Sequence, residues 1–203
     1  MKKNKISKNW INKQKRDIYV RQSKLEGYRS RAVYKLQEIQ TKFKVINNGM
    51  SIVDLGAAPG SWSEFISRKF KNIKLVAIDL KELDKIENVI HIKGDFTEEI
   101  TQKKIEKNFY EKIDLVVSDM AVNTTGNKNV DSLVTGELSI EAMNFSLKIL
   151  KKNGIFVSKI FMGSSFNEIV DIAKKNFKEF HVYKPPSSRK ESKENFIICK
   201  NLR

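Results

Sequence analysis

The sequence predicts an α/β domain built on a mostly parallel sheet of seven strands, with one antiparallel strand near the C-terminus and helices on both faces. Three observations lead there. From residue 51 onward, short apolar runs alternate with longer amphipathic ones, as when crossover helices separate parallel strands. Several of the short runs, such as "KLVAIDL" (74–80) and "GIFVSKIF" (154–161), are apolar almost without alternation, which marks strands buried on both faces. A glycine-rich turn, "GAAPG", joins the first strand to the first crossover helix, and ligands of such sheets bind beyond the carboxyl ends of the strands.

The elements follow in chain order. Residues 1–28 form a basic arm, partly helical, and residues 29–203 a single domain. Ser30 is placed to cap a helix from Arg31 to Lys42, with Ala32, Val33, Leu36, Ile39 and Phe43 on one face and Lys35 on its flank. "SIVDL" (51–55) is the first strand and 61–70 a helix. Strands follow at 74–80 and within 88–96, then a charged helix over 98–110. "IDLVVSD" (113–119) is the fourth strand and 121–131 a polar loop. A long helix spans 133–151, a strand 154–161 and a helix 165–177. The last strands, 180–185 and 194–200, are joined by a short connection and so pair antiparallel.

Composition narrows the class. Of 203 residues, 40% are hydrophobic and 31% charged, the balance of a soluble globular protein. No apolar stretch approaches the ~20 residues that span a bilayer, and the N-terminus has no apolar signal region; a cytoplasmic protein is expected. One cysteine and two histidines leave no internal disulfide and argue against a zinc site. Net charge is +15, and residues 1–24 hold nine Lys or Arg against one acid, Asp17, a net +8. Such an arm suits a polyanion, nucleic acid before an anionic membrane. No heptad run or surplus apolar surface suggests an oligomer, so a monomer is expected.

The polar residues gather where the sheet would bind a ligand. "VDLGAAPGSW" has neither the dinucleotide fingerprint nor a P-loop lysine, and Pro59 removes an N–H that a phosphate would use. Asp79 closes the second strand, where a carboxylate can accept from ribose hydroxyls. Asp95, in "GDF" after the third strand, can accept from an adenine amino group. Asp119 closes the fourth. Three acids at successive carboxyl ends, beside a glycine-rich first turn, describe a pocket for an adenosine-bearing cofactor without phosphates, S-adenosylmethionine. Trp62 packs either beside that cofactor or in the core.

Lys159 is the anomaly, because a lysine is almost never buried in a core strand unless paired. If the fourth and fifth strands are neighbours, Lys159 and Asp119 meet above the sheet next to the cofactor. A buried ion pair is a poor stabiliser, so a functional role is the better explanation. Lys35 and Glu194 can converge on the same place.

At this point "YRSRAVYKL", "VDLGAAPGSWS", "GDF", "VVSDMAVNTTG", "VSKIFMG" and "KPPSSRKESKE", in this order over residues 28–200, resemble the motifs of the FtsJ/RrmJ (RlmE) family of ribose 2′-O-methyltransferases. The resemblance implies a Rossmann-like S-adenosylmethionine-dependent methyltransferase fold. It also implies a catalytic tetrad at Lys35, Asp119, Lys159 and Glu194, and cofactor contacts at Gly60, Trp62, Asp79, Asp95 and Asp119, with no metal. It further implies a uridine ribose in the A loop of 23S rRNA as acceptor, on the assembled 50S subunit, reached through the basic arm and the face around Lys35. Lys159 would be the general base, with Lys35 and Glu194 holding the ribose, while Ser188 and Arg189 add contacts nearby. Val122, Ser158 and Ser61 depart from the usual motifs. Two other readings stay open: the same chemistry on a tRNA anticodon-loop ribose, and a non-catalytic RNA-binding or ribosome-assembly protein on this fold. A nicotinamide dehydrogenase would leave the lysines and the basic arm unexplained.

Overall fold

The computed structural model describes residues 17–121, 128–163 and 165–203. The first 16 residues of the basic arm, and Val122 with most of the polar loop after it, lie outside them. The elements are α1 Ile18–Leu25, α2 Val33–Phe43, β1 Ser51–Leu55, α3 Ser61–Lys69, β2 Lys74–Asp79, β3 Val89–Lys93 and α4 Glu99–Glu106. They continue with β4 Ile113–Ser118, α5 Lys128–Ile149, β5 Leu150–Phe161, α6 Phe166–Asn176, β6 Phe177–Tyr183 and β7 Glu194–Leu202. The seven strands form one sheet in the order β3-β2-β1-β4-β5-β7-β6. All pairs from β3 to β5 are parallel, and β7 runs antiparallel to both β5 and β6.

The two faces of the sheet explain the unbroken apolar runs. Val53, Val116, Phe156, Ile160, Ile197 and Cys199 pack on one side with α5 residues Ala142, Met143 and Phe145. Ile52, Leu115, Val117, Val157, Phe196 and Ile198 pack on the other with Val33, Leu36 and Ile39 of α2 and Phe65 and Ile66 of α3. Successive side chains of a strand alternate between faces, so both parities must be apolar when both faces are covered. Lys159 shares the parity of Val157 and therefore points toward the side covered by α2.

Three local features differ from expectation. Ser30 does not cap α2: the cap position is Ala32, and the Ser30 hydroxyl instead lies 2.7 Å from Ser61 Oγ and accepts from the Ala32 N–H. Helix α2 is entered through Val33, Tyr34 and Lys35 N–H groups bonded three residues back, the tighter turn common at helix ends. The long helix begins at Lys128, and β5 begins at Leu150, four residues before Gly154, with a register irregularity against β4. Residues 18–25 of the arm are helical, capped by Asp17, whose carboxylate accepts from the Tyr19 N–H at 3.1 Å, and Tyr19 packs on Tyr34 with ring centroids 5.3 Å apart. Among the described residues, no helix is long and apolar enough to cross a membrane.

Candidate active site

The carboxyl ends of β1 to β4 enclose a cleft of about 550 Å³ lined by Gly56, Asp79, Asp95, Phe96, Asp119 and Leu138, among others. The turn after β1 shapes its floor. Gly56 has φ 70°, and a Cβ there would stand 2.0 Å from Met120 Cγ, so only glycine lets the two strand ends approach. The N–H groups of Gly56 and Ala57 both reach the Ile78 carbonyl, and the Ala58 N–H reaches Asp79 Oδ2 at 2.9 Å. Asp79 Oδ1 accepts from the Lys81 N–H. A carboxylate offers about four acceptor sites, so Asp79 braces two turns and still faces the cleft. Asp95 uses Oδ1 for the Thr97 N–H and hydroxyl, leaving Oδ2 without a partner among the described residues.

On its other side Asp119 belongs to a buried charge cluster. Ser118 lies beside Ser158 in the β4–β5 ladder, which brings the next residues of the two strands together. Lys159 Nζ donates to the Asp119 carbonyl at 2.6 Å and lies 3.1 Å from Asp119 Oδ1. Lys35 Nζ reaches over from α2 to both Asp119 oxygens at 3.2 Å and to Glu194 Oε2 at 2.8 Å. Because β7 is antiparallel, its first residue lies at this edge, with Glu194 opposite Phe161 and Phe196 opposite Lys159. Lys35, Asp119, Lys159 and Glu194 thus meet at one point, where Lys159 is 5% and Glu194 9% exposed.

The two lysines are not equivalent. Burial alone would push Lys35 down, but the Asp119 and Glu194 carboxylates outweigh it and raise its pKa. Lys35 has three acceptors for its three N–H groups and is held as an ammonium. Lys159 is pushed below the usual lysine range by burial, helped by the Lys35 charge, and Asp119 and Glu194 only partly restore it. Its two contacts, both to Asp119, leave a further hydrogen-bonding position of Nζ without a partner among the described residues. Asp119 is lowered, because the two lysines outweigh its burial.

A second cleft of about 390 Å³ opens on the Lys35 side, lined by Ser30, Arg31, Ala32, Lys35, Arg189 and Glu194, among others. The two clefts therefore meet at the cluster, Asp119 facing one and Lys35 and Glu194 the other.

Other anticipated residues sit differently. Trp62 is 3% exposed, and its indole N–H donates to the Ala32 carbonyl while the ring packs against Phe196; its side chain belongs to the core. Gly60, at φ 102°, precedes α3, and a Cβ there would come 2.8 Å from Ile86 Cδ1. Neither lines the first cleft, so what they can offer a ligand is the start of α3, whose first N–H groups lack intrahelical partners. Ser188 is buried and donates to Glu194 Oε1 at 2.7 Å, so it orients a member of the cluster. Arg29, not singled out from the sequence, donates to the carbonyls of Pro59, Asp84 and Lys85 and ties the glycine turn to the β2–β3 connection. Among the described residues, no group of three His, Cys, Asp or Glu could hold a metal.

Asp54 is a buried carboxylate behind the turn, 2.6 Å from Ser63 Oγ. Burial, with the nearby Asp119 and Asp79, pushes its pKa up to about 7 against the favourable Ser63 bonds. Its proton is held more tightly folded than unfolded, so its contribution to stability is full at acid pH and is lost as pH rises through 7. The Asp54→Asn variant should escape this loss. The stability of the natural protein relative to that variant should fall by up to about 2.5 kcal/mol between pH 5 and 8, measured by urea unfolding at both values. A pH-independent difference would show that Asp54 is ionised throughout.

A doubly wound sheet with a glycine turn after β1 and acids at successive strand ends is the architecture of the Rossmann-like methyltransferases. The chain belongs to the FtsJ-like methyltransferase family, whose model matches residues 28–202. It is 66% identical over 203 residues, 100% of each chain, to a Pelagibacter ubique (strain HTCC1062) protein named ribosomal RNA large subunit methyltransferase E. The crystal structure of a ribosomal RNA methyltransferase from Plasmodium falciparum is similar at TM-score 0.77 and 32% identity, covering 86% of this chain and 98% of that one. A Streptococcus mutans methyltransferase crystallised in complex with SAH shares the fold at TM-score 0.51 and 15% identity, covering 85% of this chain and 96% of its own.

Proposed function

We propose that the protein transfers a methyl group from S-adenosylmethionine to the 2′-oxygen of a uridine ribose in the A loop of 23S rRNA, acting as a monomer on the 50S subunit. The observation that carries the chemistry is the meeting of two clefts at one buried cluster, in which Lys35 is engaged by three acceptors and Lys159, held by Asp119 alone, has its pKa lowered by burial. The ribosomal substrate is supported by the name of the 66% identical relative, and the uridine and its loop by the resemblance of the motifs.

The first cleft fits the cofactor. Asp79 can accept from ribose hydroxyls, the unengaged Asp95 Oδ2 can accept from an exocyclic amine, and the N–H groups at the start of α3 can receive a carboxylate. S-adenosylmethionine supplies a methyl on a sulfonium and departs as a neutral thioether, so no charge on a leaving group needs stabilising. The protein must orient the acceptor hydroxyl and take its proton. Lys159 Nζ takes that proton, Asp119 directs the amine and compensates the ammonium formed, and Lys35 fixes Asp119 and Glu194 while the Glu194 carboxylate accepts from the ribose. The basic arm and the face around Lys35 supply phosphate contacts, which makes binding salt-dependent.

The test is transfer from labelled S-adenosylmethionine to large subunits lacking ribose methylation, to free rRNA and to bulk tRNA, with the product mapped by mass spectrometry. Label on a uridine 2′-oxygen in the subunit is expected. Label on tRNA alone would keep the chemistry and replace the acceptor; none on any of them, with cofactor still bound, would favour a non-catalytic RNA-binding role.

A further inference from the structure

The second cleft holds a cation that the transfer chemistry does not use. Arg189 lies in the connection between β6 and β7, with its side chain 32% exposed. A guanidinium carries five N–H donors in a planar fork, yet the one described side-chain contact of Arg189 is Nη2 to Asp17 Oδ2 at 3.5 Å. The neighbouring Arg31 has one arm on Asp17 and the other on the Ser187 carbonyl.

The connection that carries Arg189 is firmly held. The Glu38 carboxylate accepts the Ser187 N–H at 3.0 and 3.1 Å and its hydroxyl at 2.7 Å. Ser188 is fixed to Glu194, and the Ser192 N–H closes back on the Arg189 carbonyl at 3.0 Å. The guanidinium is thus delivered from an anchored backbone one residue beyond Ser188, itself bonded to the charge cluster. A ribose whose 2′-hydroxyl reaches Lys159 carries phosphodiesters on its 3′ and 5′ oxygens, so an anion must lie within one nucleotide of that cluster. Lys35 has no donor left for it, and Glu191 and Glu194 make part of the cleft wall acidic. Of the cations lining this cleft, Arg189 has the most exposed side chain, at 32% against 16% for Arg31 and 12% for Lys35.

We propose that Arg189 is the seat of a phosphodiester next to the methylated ribose, with Asp17 and Arg31 as positioning residues that aim it; this rests on the RNA 2′-O-methylation reading above. Planar, bidentate recognition of a phosphate is what a guanidinium does best. Arg189 then belongs to acceptor binding, separate from proton removal.

The experiment compares the natural protein with Arg189→Ala and Arg189→Lys on unmethylated large subunits, measuring binding between about 50 and 200 mM salt and steady-state transfer. Arg189→Ala should lower the slope of log affinity against log salt by about one. It should also raise KM for the subunits roughly tenfold, with kcat within about twofold. Arg189→Lys should restore the slope, which counts charge, but only part of the KM, which also needs the fork. Unchanged slope and KM in Arg189→Ala, with normal transfer by the natural protein, would overturn this assignment alone. A loss in kcat at constant KM would also overturn it, because it would mark a purely structural effect on the cluster. No transfer to subunits by the natural protein would overturn both readings.

Discussion

Lys159→Ala should lose methyl transfer by a factor of about 10³ or more, while S-adenosylmethionine affinity stays within a few-fold. The cleft proposed for the cofactor is lined by Asp79, Asp95 and the glycine turn, and Lys159 is not among its walls. Lys159→Arg separates the two roles the side chain could have. A guanidinium keeps the positive charge but cannot give up its proton in a protein. If Lys159 is the base, arginine should be as inactive as alanine; substantial turnover in the arginine variant would leave the residue only an electrostatic role. The pH dependence has a definite sign. Lys159 must be neutral to accept a proton, so the single-turnover rate should rise about tenfold per pH unit and level off below the usual lysine range, because burial and Lys35 lower its pKa. A rate flat from acid to neutral pH would reject the assignment.

Asp119→Ala should have the broadest effect of any single substitution. It leaves Lys159 and Lys35 facing each other with Glu194 as the one remaining carboxylate. Removing one partner of a buried ion pair typically costs about 3–5 kcal/mol, because the other charge stays behind. Transfer should be abolished, cofactor affinity weakened, since Asp119 also faces that cleft, and stability lowered by about that amount in urea. The double variant Asp119→Ala with Lys159→Met should regain part of the stability and none of the activity, because one orphaned cation is gone. If the double variant is no more stable than Asp119→Ala alone, the cost lies in packing and not in charge.

The sheet and the meeting of Lys159 with Asp119 could be read from residue patterns because both follow from strand order and parity. Two apolar faces demand runs without alternation, and one lysine in such a run must emerge at an end. The presence of Lys35 and Glu194 in the cluster was harder to see. A helix flank and the first residue of a strand carry no periodic signal, so those two positions could be offered only as able to converge, and the motif resemblance gave them their weight. Trp62 shows where pattern stops: a first-turn position on α3 does not say whether the ring or the backbone faces the ligand, and here the ring turns inward. Ser188 and Arg189 were read together as adding contacts near the site, but the connection that carries them sends one into the cluster and the other to the wall of the second cleft. Its shape is set by Glu38 and Arg31, about 150 residues away in the chain, a separation that no local reading spans.

The reversed direction of β7 has a practical consequence. Glu194 opens that strand at the ligand edge, so the strand leaves the clefts as it proceeds. It ends with the Arg203 N–H on the Asn176 carbonyl, where α6 passes into β6, on the far side of the sheet. A fluorophore, affinity handle or surface tether joined after Arg203 therefore leaves both clefts clear. One placed ahead of Asp17 would hang beside the opening of the second cleft, since Asp17 pairs with Arg31 and Arg189 of its wall.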